Sequence, residues 1–457
     1  MQEQAQHKYE PCQSRMPHIY IILFALILIA YLCAVIVPSG RYQRQALPDG
    51  REVVIANTYK KLATTAPSPM TILEAIPDGL VDAASIVILT LLVGGSILVL
   101  QKQGIINLAI ECLIGKFDRK TYLLIPILIW VFGIISAFIG IPELGIAYFP
   151  MIEPFLKRLG YQSIDAAAVA IIPCTLGFAF GITPPANVGV SHMLTGLPMF
   201  SGSLFRLVFL IIIMISTTIF IMRKAKNNRS NKNITFQNTQ IPRLPEKSAG
   251  IFVTLMLVAI IIATIYFKLG FSSISGLFVL MAVTASLIVG VKPSQICEDF
   301  NESMSIILPG ALICGIARGV SLVLEAGSIT DTLVFYIANL TVSLPSWLSA
   351  IGLLLSQCLF NFVVPSGSGQ MLITLPVLIS VADLIGMSQQ VLVWTSNVAD
   401  GISNAIFPTS GYFMAILTSA KVPYQHWIKY YFPFFIFTIF VACIGSIIGG
   451  LINLGPF

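Results

Sequence analysis

Residues Asn361–Gln370 read N-F-V-V-P-S-G-S-G-Q and interrupt a long apolar region with a proline, two glycines, two serines and a glutamine. In a bilayer core, backbone N–H and C=O groups have no water partner. Non-helical backbone there must be buried in protein or line a wet cavity. Pro365 lacks a backbone donor, and Gly367 and Gly369 are poor helix formers, so a continuous helix is not expected here. The stretch reads as the tip of a re-entrant hairpin: two short helices enter the membrane, meet at a polar turn and leave on the same side. The competing reading is a surface loop between two spans. A second interruption, G-I-P-E-L-G at Gly140–Gly145, favours the hairpin because it occupies the matching place in the first half.

The chain is 56% hydrophobic and 10% charged, where a soluble domain carries about 25% charged residues. This is the composition of a polytopic membrane protein, and the length admits roughly ten spans of about 20 residues. The net charge of +6 does not indicate a nucleic-acid partner, because the basic residues sit mostly in connections between spans. The cysteines show no CxxC spacing and do not gather with histidines, so no metal site is expected beyond Na⁺ as a coupling ion. There is no H-E-x-x-H, nucleophile elbow or phosphate-binding loop. The chain is therefore read as a non-enzyme with no catalytic residues and no cofactor.

Residues 1–16 form a polar tail. Residues 17–84 hold a first span, Pro17–Val37, and a mixed-charge external loop. A cleaved signal peptide is the rival reading of that span; the run is longer than a usual apolar signal core and lacks a small-x-small cleavage site. Residues 85–222 form a first repeat: a scaffold span, an interfacial helix over Gly104–Lys116, a hairpin with Glu143 at its tip, a helix broken at Gly181–Asn187, and a further span. Residues 223–250 are a cytoplasmic linker. Residues 251–457 form a second repeat, with scaffold spans, an amphipathic stretch at Ser328–Val342, the hairpin at Pro365–Gln370, a helix broken at Asn404–Ser410, and a last span. The match VLQKQGIIN with VLEAGSITD and of ITPPANVGV with IFPTSGYFM keeps an offset of roughly 225 residues, the signature of an internal repeat. With the N-terminus in the cytoplasm and the hairpins not crossing, the clustered Lys and Arg outside residues 39–80 fall on the cytoplasmic side. The two repeats then have opposite orientation. The expected fold is an all-α polytopic membrane protein with inverted repeats, two re-entrant hairpins and two broken transmembrane helices.

Gly/Pro-interrupted segments at matching places in two halves point to a transporter's binding site. Free helix N-termini suit a carboxylate, and unwound carbonyls suit a cation. The expected substrate-binding residues are Glu143, Asn187, Ser366, Ser368, Gln370, Asn404, Thr409 and Ser410. Thr183 and Asp400 are the expected cation-coupling residues. A charge in the middle of a span is costly, about 2.5–3.5 kcal/mol on insertion scales, which singles out Glu143 and Asp400; Arg318 is the expected charge partner of one of them. His192 reads as a packing histidine, and Trp347, Trp394 and Trp427 as interface anchors.

The motifs PSGSGQ at Pro365–Gln370, ADGISNAIFPTSG at Ala399–Gly411, ARGVSLVLEAGSITD at Ala317–Asp331 and GIPELGIAYFP at Gly140–Pro150 resemble the YfcC-type branch of the C4-dicarboxylate anaerobic carrier family, within the ion transporter superfamily. The resemblance covers nearly the whole chain after residue 17. It implies an elevator-type secondary transporter of the bacterial cytoplasmic (inner) membrane, usually a homodimer, in which hairpins and broken helices carry the substrate past a scaffold. It also implies coupling to Na⁺ or H⁺, and an organic anion or amino acid as cargo. Relatives of this branch commonly show a second acid where Leu144 stands, and an Asn-Pro pair where this chain has Thr183-Pro184-Pro185. The expected cargo is a small carboxylate-bearing metabolite, first an amino acid, a basic one included, whose ammonium or guanidinium Glu143 and Asp400 would receive, with a C4-dicarboxylate as the alternative; both symport and antiport stay open. An ion channel is the reading from another class.

Overall fold

A computed structural model of the chain describes residues 19–46, 52–62, 67–105, 122–229, 244–267, 269–343 and 346–455. The polar tail, most of the expected interfacial helix at Gly104–Lys116 and the middle of the linker lie outside the described residues.

Among the described residues the chain forms 17 α-helices and four short strands. Helix α1 (Ile19–Ile36) is a charge-free apolar run. Two antiparallel ribbons follow, β1 (Gly40–Arg41) with β4 (Lys60–Lys61) and β2 (Arg44–Ala46) with β3 (Glu52–Val54). The expected external loop also contains a helix, α2 (Met70–Asp82), whose acids and internal Pro77 mask it in an apolar reading. Helix α3 (Ala84–Lys102) closes this section.

The first interrupted unit comprises α4 (Leu124–Ile139), a turn at Gly140–Glu143 and α5 (Leu144–Arg158). Then come α6 (Ser163–Ala179), a break, a π-helical turn at Pro185–Gly189 and α7 (Val190–Thr195). Helix α8 (Ser203–Asn228) ends the half. The second half begins with α9 (Leu244–Phe267), α10 (Phe271–Val289), the long α11 (Pro293–Ala326) and α12 (Thr330–Ser343). Its interrupted unit is α13 (Ser346–Val363) and α14 (Gly367–Ile385). Its broken helix is α15 (Gln389–Ser403) and α16 (Gly411–Ser419), followed by α17 (Tyr424–Leu451).

Helices α3, α8, α10, α11, α14 and α17 are long and apolar enough to cross a bilayer, and five shorter apolar helical segments accompany them. The chain is a multi-pass membrane protein. The order of interrupted unit, broken helix and long helix occurs twice: α5 begins at Leu144 and α14 at Gly367, α6 at Ser163 and α15 at Gln389, α8 at Ser203 and α17 at Tyr424.

Helix α11 is the spine of one side and packs against α1, α2, α3 and α16. On the other side, α4 and α5 both pack on α6, while α13 and α14 both pack on α15; α6 then meets α15. Each broken helix is thus wrapped by the interrupted unit of its own half. Of α15, Gln390–Ser403 are all buried, which explains one departure from the sequence reading. Trp394 and Trp427 are core residues, not interface anchors. Phe180, Phe205 and Phe209 surround Trp394. The Trp427 indole N–H donates to Ala405 O at 2.8 Å. The side chain of Trp347 lies outside the described residues.

The ribbons bind the first half to the second. Tyr42 N–H donates to one oxygen of Asp331 at 2.9 Å, and Arg44 Nη2 to the other at 2.9 Å. Tyr59 stacks on Phe335 with ring centroids 4.3 Å apart. Burial and the neighbouring Asp331 and Tyr59 raise the Tyr42 hydroxyl pKa above its ordinary value.

Candidate functional site

Helices α6 and α15 meet near their broken ends, where backbone N–H groups find local acceptors, such as Gly181 N–H on Phe178 O and Ser410 N–H on Phe407 O. Gly401 makes the meeting close: a Cβ there would fall on the backbone and Cβ of Ala179. On the first half, Gly140 adopts φ +74, and a Cβ there would stand 2.6 Å from Pro184 Cβ. The chain after α6 folds back on α4, with Ile182 N–H bonded to Ala137 O at 3.0 Å. On the second half, Ser366 caps α14 by accepting from Gly369 N–H at 3.3 Å. The serine is thus built into the turn that begins α14, as an N-cap requires.

Asp400 is the centre of the arrangement. It is fully buried. Its Oδ2 accepts from Asn187 Nδ2 at 3.3 Å, across the two broken helices. Its Oδ1 has no hydrogen-bond partner. The start of α14 closes over it: a Cβ on Gly367 would stand 3.3 Å from Asp400 Oδ2, 3.3 Å from Asn187 Cβ and 2.8 Å from Phe178 Cζ. Asn361 Nδ2, from α13, donates to Asp400 O at 2.9 Å, Ser403 Oγ at 2.8 Å and Asn404 Oδ1 at 3.0 Å. Gln370 Nε2 donates to Gln357 O and Oε1 at 3.0 and 2.9 Å. Ser191, just beyond the first break, donates to Asn397 Oδ1 at 3.1 Å.

These bonds leave several acceptors over, and one amide donor, Gln357 Nε2. Asp400 Oδ1, Asn187 Oδ1, Asn361 Oδ1 and Gln370 Oε1 are all buried and unpartnered, as is the Thr409 hydroxyl. Buried polar atoms are ordinarily satisfied, so each exception needs a reason. The free oxygens of Asp400 and of the neighbouring Asn187 fit a cation, either Na⁺, which takes oxygen ligands, or an ammonium group, which donates to them.

The structure therefore links Asn187, Asp400 and Asn404, the last two through Asn361, with the unpartnered Thr409 in the second break, while Gln370 is bonded to Gln357. Ser368 is half-buried in the first turn of α14. Ser410 is buried and precedes α16 without capping it through its side chain. Thr183 Oγ1 donates to Phe138 O at 3.4 Å. Glu143 is half-buried, stands before α5 and makes no cap through its side chain; it lies within electrostatic range of Asp400. Arg318 is placed elsewhere. Its guanidinium pairs with Asp82 and with Glu325, the latter at 3.4 Å, so it serves α2 and α11 rather than Glu143 or Asp400. The sequence reading had passed over Gln357, Asn361 and Asn397. Gln357 and Asn361 are one helical turn apart on an otherwise apolar helix, a spacing that puts both amides on one face.

Two cavities border the interrupted units. One, of about 1220 Å³, is bordered by α5 residues Phe149 and Lys157 and by Lys421 and Lys429. The other, of about 390 Å³, is bordered by Arg44, Arg318, Asp331, Ser366 and Gly369. Neither lining includes Asp400 or Asn187, so protein covers the cluster from both.

Gly367→Val is expected to force α14 off Asp400 at a cost of about 1–3 kcal/mol, the usual range for overpacking. Thermal denaturation checks this; an unchanged melting temperature would mean that α14 does not approach the carboxylate this closely.

The sequence model of the C4-dicarboxylate anaerobic carrier family matches residues 16–450. The Escherichia coli (strain K12) protein named "Putative basic amino acid antiporter YfcC" is 28% identical over 466 residues, covering 91% of this chain and 92% of that one. An uncharacterized protein of Haemophilus influenzae is 23% identical over 84% of this chain and 79% of its own length. Among solved structures, the Alcanivorax borkumensis YdaH transporter aligns with a TM-score of 0.44 at 14% identity, covering 96% of this chain and 99% of that one. Neisseria gonorrhoeae MtrF aligns with a TM-score of 0.44 at 16% identity, covering 96% of each chain.

Proposed function

The chain belongs to the C4-dicarboxylate anaerobic carrier family, and from that premise we propose that it is a secondary active carrier for an amino acid, coupled to or exchanged against a cation. Its place is the bacterial cytoplasmic membrane, with the N-terminus in the cytoplasm. The two interrupted units act as re-entrant hairpins, and with the broken helices they move as one body against a scaffold built on α11. The protein works as a homodimer.

One observation carries the reading: a fully buried Asp400 carboxylate with a free oxygen, held beside Asn187, whose own amide oxygen is also buried and unpartnered. Those oxygens receive the ammonium of the substrate, or a coupling Na⁺ or proton beside it. The free N–H groups at the start of α14 receive its carboxylate. A dicarboxylate is less well served, because among the described residues no Lys or Arg pairs with Asp400, and Arg318 is engaged with Asp82 and Glu325. The hairpins border different cavities, which gives the cluster two routes of access as the carrier changes conformation.

Purified protein in proteoliposomes tests this. Saturable counterflow of a labelled amino acid, stimulated by an internal amino acid or a Na⁺ or H⁺ gradient, is expected. A melting temperature raised by the same amino acid and not by C4-dicarboxylates is expected alongside, since a ligand of the folded state stabilises it by mass action. Counterflow of dicarboxylates alone would reassign the cargo, and ohmic single-channel currents would reassign the class.

A further inference from the structure

Arg206 is the fourth residue of α8, whose N-cap is Gly202, and is only 1% exposed. Its Nε, Nη1 and Nη2 have no hydrogen-bond partner. The ion pairs among the described residues all involve other side chains. A cation at a helix N-terminus also opposes the helix dipole, and the first-turn N–H groups beside it lack intrahelical acceptors.

A second orphan donor faces the same region. His192, in α7, is fully buried, and its Nδ1 accepts from Phe200 N–H at 2.9 Å. A neutral imidazole that accepts at Nδ1 carries its proton on Nε2. That Nε2 has no partner, and both residues are tied to one loop, His192 Nδ1 through Phe200 N–H and Arg206 N–H through Gly202 O. The connecting loop is firmly held. Phe200 adopts φ +59, left-handed for a bulky residue, a conformation that persists only where surroundings impose it. Ser201 is bonded twice to Gln390, through Oγ at 3.2 Å and its carbonyl at 2.7 Å.

A buried guanidinium without counter-charge is strongly unfavourable, and a buried N–H without an acceptor adds to it. One negatively charged acceptor answers both. We propose that Arg206 and His192 bind a small monoanion, chloride or a carboxylate group, beneath the loop at 196–202. Full burial of both side chains restricts the site to a dehydrated, compact anion. The site adjoins the first break: His192 follows Asn187 by five residues, roughly 7 Å of helix at about 1.5 Å per residue, and its neighbour Ser191 is bonded to Asn397.

The test uses the full chain in detergent at fixed pH and ionic strength, with sodium gluconate exchanged stepwise for sodium chloride or sodium formate. The wild-type melting temperature is expected to rise saturably with chloride, with formate or with both; chloride alone identifies a halide site, and a formate response a carboxylate site. Arg206→Met is expected to lose the response while melting in gluconate no lower than the wild type. His192→Gln, which keeps a donor near the place of Nε2, is expected to respond at about tenfold higher anion concentration. As a second readout on the wild type, bromide is expected to quench Trp394 saturably, because Trp394 packs on Phe205 and Phe209 at either side of Arg206, and chloride is expected to relieve the quenching. A wild type indifferent to all three anions, or an Arg206→Met variant that responds like the wild type, would overturn the proposal. Neither readout depends on transport, so this test and that of the carrier reading fail separately.

Discussion

Asp400→Asn is expected to abolish uptake while leaving the protein folded. The carboxylate is fully buried, with Asn187 on one oxygen and nothing on the other. Replacing it with an amide keeps the volume and removes the charge. Removing a buried, incompletely paired charge is often neutral or stabilising, so the melting temperature should hold or rise. Binding has the opposite sign. Truncating one partner of a buried charge pair costs about 2–5 kcal/mol, which is roughly 30-fold to several thousand-fold in affinity. Uptake into proteoliposomes and thermal denaturation of the same preparation separate the two effects. Transport at the wild-type rate in Asp400→Asn would take Asp400 out of the mechanism.

Gly401→Leu is expected to be the most damaging single change to the fold among those considered. The added side chain would begin inside the backbone of Ala179. Backbone atoms at a helix crossing cannot rotate aside as a flexible side chain can, so the cost should reach or pass the upper end of the roughly 1–3 kcal/mol seen for overpacking. The expected result is a sharp fall in melting temperature, or loss of monodisperse protein. The same substitution at Gly276 in α10 is the control, because a Cβ there meets nothing within 4 Å. If Gly401→Leu melted like Gly276→Leu, the crossing of α6 and α15 would not be as close as described. The crossing matters to function because it brings Asn187 of one half to Asp400 of the other.

Much of the outline could be read from local text. Pro365, Gly367 and Gly369 announced the start of α14, and Gly140 and Pro142 the turn before α5, because proline and glycine act on the backbone of their own neighbourhood. The repeat could be read because matched interruptions recur in order along the chain. Arg318 shows where such reading stops. A lone arginine in an apolar run implies a partner, but the partner proved to be Asp82, on a helix read as loop, and Glu325, nearby on its own helix. Trp394 and Trp427 were misplaced for a related reason: their type suits an interface, and only the burial of α15 and α17 puts them in the core.

The sequence by itself determined that this chain lives in a bilayer, where its helices break, and that the breaks repeat, because hydropathy and backbone stiffness are properties of contiguous residues. Only the tertiary structure decided which broken ends meet, that Asn187 reaches Asp400, that Asn361 joins them, and that Arg206 is buried without a partner. Each of those facts is a distance or an absence between residues far apart in the chain or on separate helices. Such relations follow from how helices cross, and a crossing is fixed by all the packed side chains together.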